Sequence, residues 1–578
     1  GKALLPRARS NNVELVARGV TRVVRSRETG KQLTLLDGVT LVIRPREFVC
    51  LLGPSGSGKS TLLSVLSGRT GADAGTVLLN GKDLYANFEA LKQDIAVVPQ
   101  KDVLHDSLAV GQALWYTARM RLPPDTTQTE IDGTLSEMLE TVGLTPRRRT
   151  VIRYLSGGQV KRASLANEIL CKPSLLFLDE VTSGLDEQTD REVMNLFRSL
   201  ADAGKTVVCI THSLANVERT CHLVVILTPG GKLAFVGKPS EALAYFGIER
   251  LGDVYDRLAE QPAEHWRDTF FESPLWQRYV AERLPPEKAM PPVGAAAWEG
   301  LGDRVRLFVR QTVLLTVRYA AIWRGDYLSL LAMAGQALIV AVLLGLLFGN
   351  LADLDNPVEQ AARDHAARSI NLVFLLAVSS FWFGCNNAAK EIVKERTIYT
   401  RERDYNLRVS AYYTSKLVLL TLFSGMQVVL LYVMVCVWCR PPGGFLSELS
   451  VLLALALAGV TLGLAISTLA ATEEMAITLI PMAVIPQIIL SGLIAPLGGL
   501  SKFLALVAVS TYWGKRGLDG CLPERVAQMG GLEQHSPAVA VLVLLVHALV
   551  CIAVALIALN WQSARRGGLA ALLNRVRR

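Results

Sequence analysis

Phe48-Val49-Cys50-Leu51-Leu52-Gly53-Pro54-Ser55-Gly56-Ser57-Gly58-Lys59-Ser60-Thr61 is the stretch that decides how the first half of this chain folds. Its five leading apolar residues read as a buried strand, and residues 60–66 read as a helix. Between them lies the pattern GxxxxGK[ST], whose glycines let backbone N–H groups close around phosphates where a helix begins. In such a loop Gly53, Ser55, Gly56, Gly58 and Thr61 belong to the cradle. Lys59 reaches the β- and γ-phosphates, and the Ser60 hydroxyl ligates Mg2+. A Gly-rich turn with no ligand is the bland alternative, and the strand before it and helix after it argue against that.

Downstream, Leu175-Leu176-Phe177-Leu178-Asp179-Glu180 reads as a buried strand ending in two carboxylates. Asp179 fits a second Mg2+ position, reached through water. Glu180 fits the base that orients or deprotonates an attacking water. The run Leu155-Ser156-Gly157-Gly158-Gln159 opens another helix and is a second glycine-rich anion site. One nucleotide does not need two cradles on one chain, so the second reads as closing over a nucleotide held by another copy.

The segments around these motifs alternate strand and helix from Val13 to about Phe246, which makes an α/β domain over 13–246. Residues 1–12 lack the apolar core of a signal peptide and read as a tail. A connector over 247–303, with Pro285, Pro286, Trp266 and Trp276, reads as irregular with short helices. Residues 304–325 mix apolar positions with Arg306, Arg310, Arg318 and Arg324, the pattern of a basic amphipathic helix on a membrane surface.

The remainder is different in kind. The chain of 578 residues carries 60 Lys and Arg against 51 Asp and Glu, a net +9, yet only 19% is charged and 51% is hydrophobic. Charge is concentrated in the first half, and apolar runs of about 20 residues fill the second. A wholly soluble chain and a disordered one are both excluded. Six spans are expected at 327–349, 369–389, 417–438, 451–471, 475–498 and 537–558, the fifth kinked by Pro481 and Pro486. Lys390, Lys394, Arg396, Arg401, Arg403 and Arg408 crowd one loop, and Arg575, Arg577 and Arg578 end a basic tail over 561–578. The loop after the first span offsets its arginines with Asp353, Asp355, Glu359 and Asp364. This bias puts both termini in the cytoplasm, although Lys502, Lys515, Arg516 and Arg525 fall outside. It also accounts for the basic excess without nucleic acid. Nine cysteines without a CxxC pair suggest neither a disulfide framework nor a zinc site, and Cys439 with Cys521 is left open. His547, Gln427, Gln487 and Asn387 read more simply as interhelical hydrogen bonds than as ligands.

The order of Gly53–Thr61, Gln100, Leu155–Gln159, Asp179-Glu180, Ser183-Gly184-Leu185-Asp186 and His212 resembles the nucleotide-binding domain of an ATP-binding-cassette (ABC) transporter. Followed by spans on the same chain, the whole resembles a half-transporter of subfamily G. Asn387-Ala388-Ala389-Lys390-Glu391-Ile392, Glu395-Arg396-Thr397-Ile398-Tyr399 and Ser491-Gly492-Leu493 resemble that subfamily's membrane domain. The resemblance implies an α/β P-loop NTPase domain of ABC type, then an all-α six-helix transmembrane domain over 326–560. It implies ATP and Mg2+ as ligands. Gln100 is the implied sensor of Mg2+, Glu180 and His212 are the implied catalytic pair, and Asp186 is the implied link between sites. Ser156, Gly157, Gly158 and Gln159 would face the partner's ATP. Phe383 matches an aromatic clamp for flat apolar cargo, and Leu493 with Ile494 matches an apolar plug above it.

The implied partner is a second copy or a related half-transporter, in a plasma-membrane bilayer, moving an amphipathic or lipid-like molecule. An ATPase that drives or regulates a membrane partner without moving cargo through itself stays open as the alternative. Three departures stand out. Val181 replaces a common proline. No aromatic lies in 21–25 to stack a base, leaving Val23 or Val24. The segment between the fifth and sixth spans is short, which points to a prokaryotic relative.

Overall fold

The computed structural model describes residues 12–25, 30–100, 104–286, 300–351, 359–405, 407–533 and 535–566. The expected tail up to residue 11, connector residues 287–299, Asp353 and Asp355, and the basic tail from residue 567 lie outside these. The chain divides into two compact units between Glu299 and Gly300.

In the first unit the strands are β1 (Leu15–Arg25), β2 (Gln32–Ile43), β3 (Phe48–Leu52), β4 (Ala74–Leu79), β5 (Lys82–Asp83), β6 (Ile95–Val98), β7 (Leu175–Asp179), β8 (Thr206–Ile210), β9 (Leu223–Thr228) and β10 (Lys232–Gly237). An antiparallel sheet has the order β2-β1-β4-β5, and a second sheet has the order β10-β9-β3-β8-β7-β6. The latter is parallel except for β10. Its strands β3 and β8 are buried at every position, as a sheet covered on both faces requires. Register pairs Leu51 with Ile210 and Asp179 with Ile210. The carboxyl ends of β3, β7 and β8 therefore sit side by side, which is where ligands bind in open α/β sheets. Helices α1 (Lys59–Leu66), α2 (Gly157–Ile169) and α3 (Glu187–Asp202) carry the motifs.

The connector is more ordered than its sequence suggests. Short helices Ala263–Phe271 and Pro274–Tyr279 pack on β10. Phe246 lies 5.2 Å from Trp266, and Phe235 lies 5.9 Å from Phe270, between ring centroids. This apolar packing extends the first unit's core beyond residue 246.

The second unit is helical: α4 (Leu301–Gly325), α5 (Tyr327–Phe348), α6 (Glu359–Ala388), α7 (Val409–Cys439), α8 (Phe445–Leu469), α9 (Glu473–Ile489), α10 (Gly499–Ala508), α11 (Ser510–Asp519) and α12 (Pro537–Arg566), with Arg396–Asp404 between α6 and α7. Helix α4 exposes Val305, Val309, Val313 and Val317 as a stripe and buries Leu315, Arg318 and Tyr319 opposite. Among the described residues, five helices are long and apolar enough to cross a membrane: α5, the 363–388 part of α6, α7, α8 and α12 up to Gln562.

The expected fifth span, 475–498, is shorter as a helix than its apolar run. Helix α9 has 17 residues and continues through Pro481 and Pro486, but ends at Ile489. At 1.5 Å per residue it is about 25 Å long, at the lower end of what spans a bilayer. Beyond it Gly492 takes φ 81° and Gly499 φ 52°, turning the chain into α10 rather than prolonging the helix.

Helices α6 and α8 approach through glycine. A Cβ on Gly384 would lie 2.2 Å from the Ala456 carbonyl, and one on Gly459 would lie 2.2 Å from that of Phe381. Small residues at such contacts let backbones pack without a side chain between them. Several polar groups inside the bundle are paired. Asn387 donates to Gln427 at 2.6 Å and Ser424 at 3.0 Å, Thr511 N donates to Gln487 at 3.2 Å, and His547 meets Ser510 at 3.2 Å. Buried charges are matched too: Arg318 with Glu402, and Lys416 with Glu395 at 2.6 Å. Tyr319 donates to Glu391, and the Lys416 ammonium lies 3.5 Å from the Tyr319 ring centroid. Sequence reading singled out none of these groups as an ensemble. All nine cysteines are free thiols, including Cys439 and Cys521.

Candidate functional site

The loop after β3 is shaped by its glycines. Gly53, Gly56 and Gly58 have φ of 148°, 79° and 85°. A Cβ on Gly53 would come within 2.4 Å of the Leu227 carbonyl, and one on Gly58 within 2.4 Å of the Leu35 carbonyl. Only glycine fits both the space and the left-handed backbone. Within the loop the buried Ser57 hydroxyl has no protein partner among the described residues, a polar atom of the kind a phosphate oxygen satisfies. Lys59 Nζ donates to the carbonyls of Gly53 at 2.7 Å and Pro54 at 2.9 Å. Burial holds its ammonium below the usual range, opposed by the Glu180 carboxylate.

At the end of β7 the two carboxylates have separate environments. Ser60 Oγ lies 3.5 Å from Asp179 Oδ1. Burial raises the Asp179 carboxyl above its ordinary range, and the nearby Glu180 charge adds to this. Glu180 follows with φ 49°, a conformation costly for a side chain bearing a Cβ, and its N–H is tied to the Ile210 carbonyl at 2.9 Å. That backbone aims the carboxylate at two partners. Gln100 Nε2 donates to Oε2 at 2.6 Å, and His212 Nε2 lies 3.1 Å from Oε1.

Thus β3, the end of β6, β7 and the turn after β8 bring together Lys59, Ser60, Gln100, Asp179, Glu180 and His212. These residues fit a nucleoside triphosphate with Mg2+: a side-chain-free cradle, a cation for the phosphates, a hydroxyl beside a carboxylate, and a second carboxylate held by two donors. Among the described residues no group of three or more His, Cys, Asp and Glu gathers as a metal site.

The other motif stands apart. Ser156 caps α2, accepting from Gln159 N at 3.4 Å, and Gln159 Oε1 accepts from Ser156 N at 3.2 Å. Ser156 and Gly157 are exposed, while Gly158 is buried where a Cβ would meet Thr189 at 2.5 Å. Asp186 caps α3 through Thr189 N at 2.9 Å and Thr189 Oγ1 at 2.7 Å. These bonds hold its carboxyl below the usual range. Sequence reading missed Ser57 and Lys161. The latter's Nζ donates to the Gln100 carbonyl at 2.6 Å, and only its place two residues after Gln159 hinted at it.

Beside β1, a cavity of about 500 Å3 is lined by Val23, Val24, Arg25, Gly30, Gln32 and Asp73. This is the region where the sequence lacks a stacking aromatic. In the second unit Phe383 is fully buried among its own chain's helices, Leu493 is half-buried and Ile494 is 63% exposed. Phe383 therefore does not lie on an open face of the bundle. Trp382 beside it is half-buried, as are Leu375, Val378, Ser379 and Asn386 along the same helix.

A phosphate cradle and paired carboxylates on an α/β unit, with a capped glycine motif held apart and a helical membrane unit behind, define the class of ABC transporters. The ABC transporter family model matches residues 36–183, and the ABC-2 type transporter model matches residues 310–513. An ABC transporter ATP-binding/permease protein of Mycobacterium tuberculosis is 35% identical over 84% of this chain and 55% of its own length. ABC transporter G family member 22 of Arabidopsis thaliana is 31% identical over 81% of this chain and 68% of its own. Member 4 of Dictyostelium discoideum is 26% identical over 85% and 62%. The chain belongs to the ABC transporter G family, and it spans little more than half the length of the mycobacterial relative.

Proposed function

We propose that the chain is one half of a dimeric, ATP-driven exporter of an amphipathic or lipid-like molecule. The observation that carries this is the division of the nucleotide machinery. Lys59, Asp179, Glu180, Gln100 and His212 meet at one sheet edge, whereas Ser156 and Gly157 stand exposed on another helix end. Two copies facing each other give each ATP both halves. Lys59 and the loop amides hold the phosphates, and Glu180, oriented by Gln100 and His212, takes the proton of the attacking water. Ser60 and, through water, Asp179 would hold Mg2+, which would supply neutralising charge on the phosphates. The basic loops favour the plasma membrane with cytoplasmic termini. The short apolar face of α9, exposing Met482, Ile485 and Ile489, favours an apolar cargo over an ion.

Mixed dimers test the shared sites. A Lys59→Ala chain paired with a Ser156→Arg chain has one site broken twice and one intact, while each mutant homodimer has both broken. Mixed dimers are expected to retain ATPase activity that neither homodimer shows, and verified mixed dimers without it sink the reading. For the cargo, Trp382 is the aromatic on the more open side of α6. Trp382→Ala is expected to raise the half-saturating concentration of a stimulating amphiphile about 10-fold. An unchanged value removes that helix face from the cargo path.

A further inference from the structure

Helix α2 connects to the catalytic carboxylate of its own chain. Four residues beyond Gly157, Lys161 Nζ donates to the backbone carbonyl of Gln100 at 2.6 Å. Gln100 Nε2 in turn donates to Glu180 Oε2 at 2.6 Å. Two successive hydrogen bonds thus join the helix whose end presents Ser156 and Gly157 to the group that acts on water. A bond from an ammonium is stronger than one between neutral groups, and here it fixes the Gln100 peptide. Where that peptide points decides where the carboxamide points, and so how Glu180 is held.

We propose that Lys161 is a positioning residue for hydrolysis in the site of its own chain, although it stands on the helix that serves the partner's nucleotide. This rests on the shared-site dimer proposed above. Its consequence is a link between the two sites. A shift of α2 as its cradle meets the partner's triphosphate moves Gln100, and with it the grip on Glu180.

The experiment separates this role from a role in the cradle. Mixed dimers are made in which one chain carries Glu180→Gln, so that only the site containing the remaining Glu180 turns over. Lys161→Ala is then placed either on the chain with Glu180 or on the Glu180→Gln chain. In the first arrangement turnover is expected to fall about 10-fold further than in the second, since small misplacements of catalytic groups are costly. The half-saturating Mg2+ concentration rises with it, KM for ATP stays within about twofold, and Lys161→Arg restores the rate. Equal loss in both arrangements, greater loss in the second, or no loss in either overturns the proposal. If tagged chains do not form mixed dimers, the dimer reading itself fails. Lys161 is then judged alone: Lys161→Ala adding little to Gln100→Ala upholds the contact, and additive losses reject it.

Discussion

The charges of the candidate nucleotide site in the first unit and two buried ion pairs in the second are set up in opposite ways. In the first, the charges at the candidate site are partly exposed and each is held by two contacts: Glu180 by Gln100 and His212, Lys59 by two carbonyls of its own loop. In the second, two pairs of charges are withdrawn from solvent and cancelled. The side chains of Arg318 and Glu402 are 5% and 13% exposed, those of Lys416 and Glu395 3% and 7%. A poised charge is available for chemistry on an incoming ligand, whereas a cancelled one joins helices. The difference teaches that a charged residue near a membrane is to be judged by its partner before its sign.

The sharpest way to break the comparison is at Glu180. Glu180→Gln keeps the shape and loses the proposed base, so steady-state ATPase activity is expected to fall about 10²–10⁴-fold while ATP still binds. Turnover near the wild-type rate would show that this carboxylate is not poised at all. Next comes Arg318→Ala, which removes the buried arginine partner of Glu402. Breaking such a pair costs about 3–5 kcal/mol. The exposed pair Arg148–Asp132, 42% and 46% exposed, is its control, and Arg148→Ala is expected to cost about 0.2–1 kcal/mol. Thermal unfolding of the purified protein measures both, and similar losses would erase the contrast.

The smallest effect concerns pH. Asp179 is raised above its ordinary range by burial and by Glu180. The folded chain therefore holds this proton more tightly than the unfolded one. Its contribution to stability is present below the unfolded carboxyl range and is lost as pH rises through the folded value. In the proposed site Asp179 holds Mg2+ through water as a carboxylate, so Mg2+ would compete with this proton. The half-saturating Mg2+ concentration for hydrolysis is expected to rise as pH is lowered from neutral, and to do so less in Asp179→Asn. Identical slopes in the two proteins would place the pH dependence elsewhere.

Much of the nucleotide site was legible because its chemistry is local. A loop that wraps phosphate requires its glycines, its lysine and its hydroxyl within nine residues, so Gly53 through Thr61 could be read in one line. Glu180 was legible from a strand that ends in acid, but its two donors come from β6 and from the turn after β8, and only sheet register brings them to it. The membrane unit was legible in its apolar lengths and hidden in its pairings. Arg318 and Glu402 are far apart in the chain, and nothing in either neighbourhood names the other. The end of the fifth apolar helix was hidden for a related reason. Apolar content continues past Ile489, but helix length is set by backbone conformation at Gly492 and Gly499, to which hydropathy is blind.

The sequence by itself determined the class of chemistry, the order of the two units and the presence of membrane-crossing helices, because each follows from spacing along the chain. Tertiary structure alone decided which side chains face one another. It buried Phe383 and left Trp382 on the more open side, although the two are adjacent in the chain. A helix turns about 100° per residue, so neighbours in sequence face different surroundings, and only packing against the other helices fixes which face is covered.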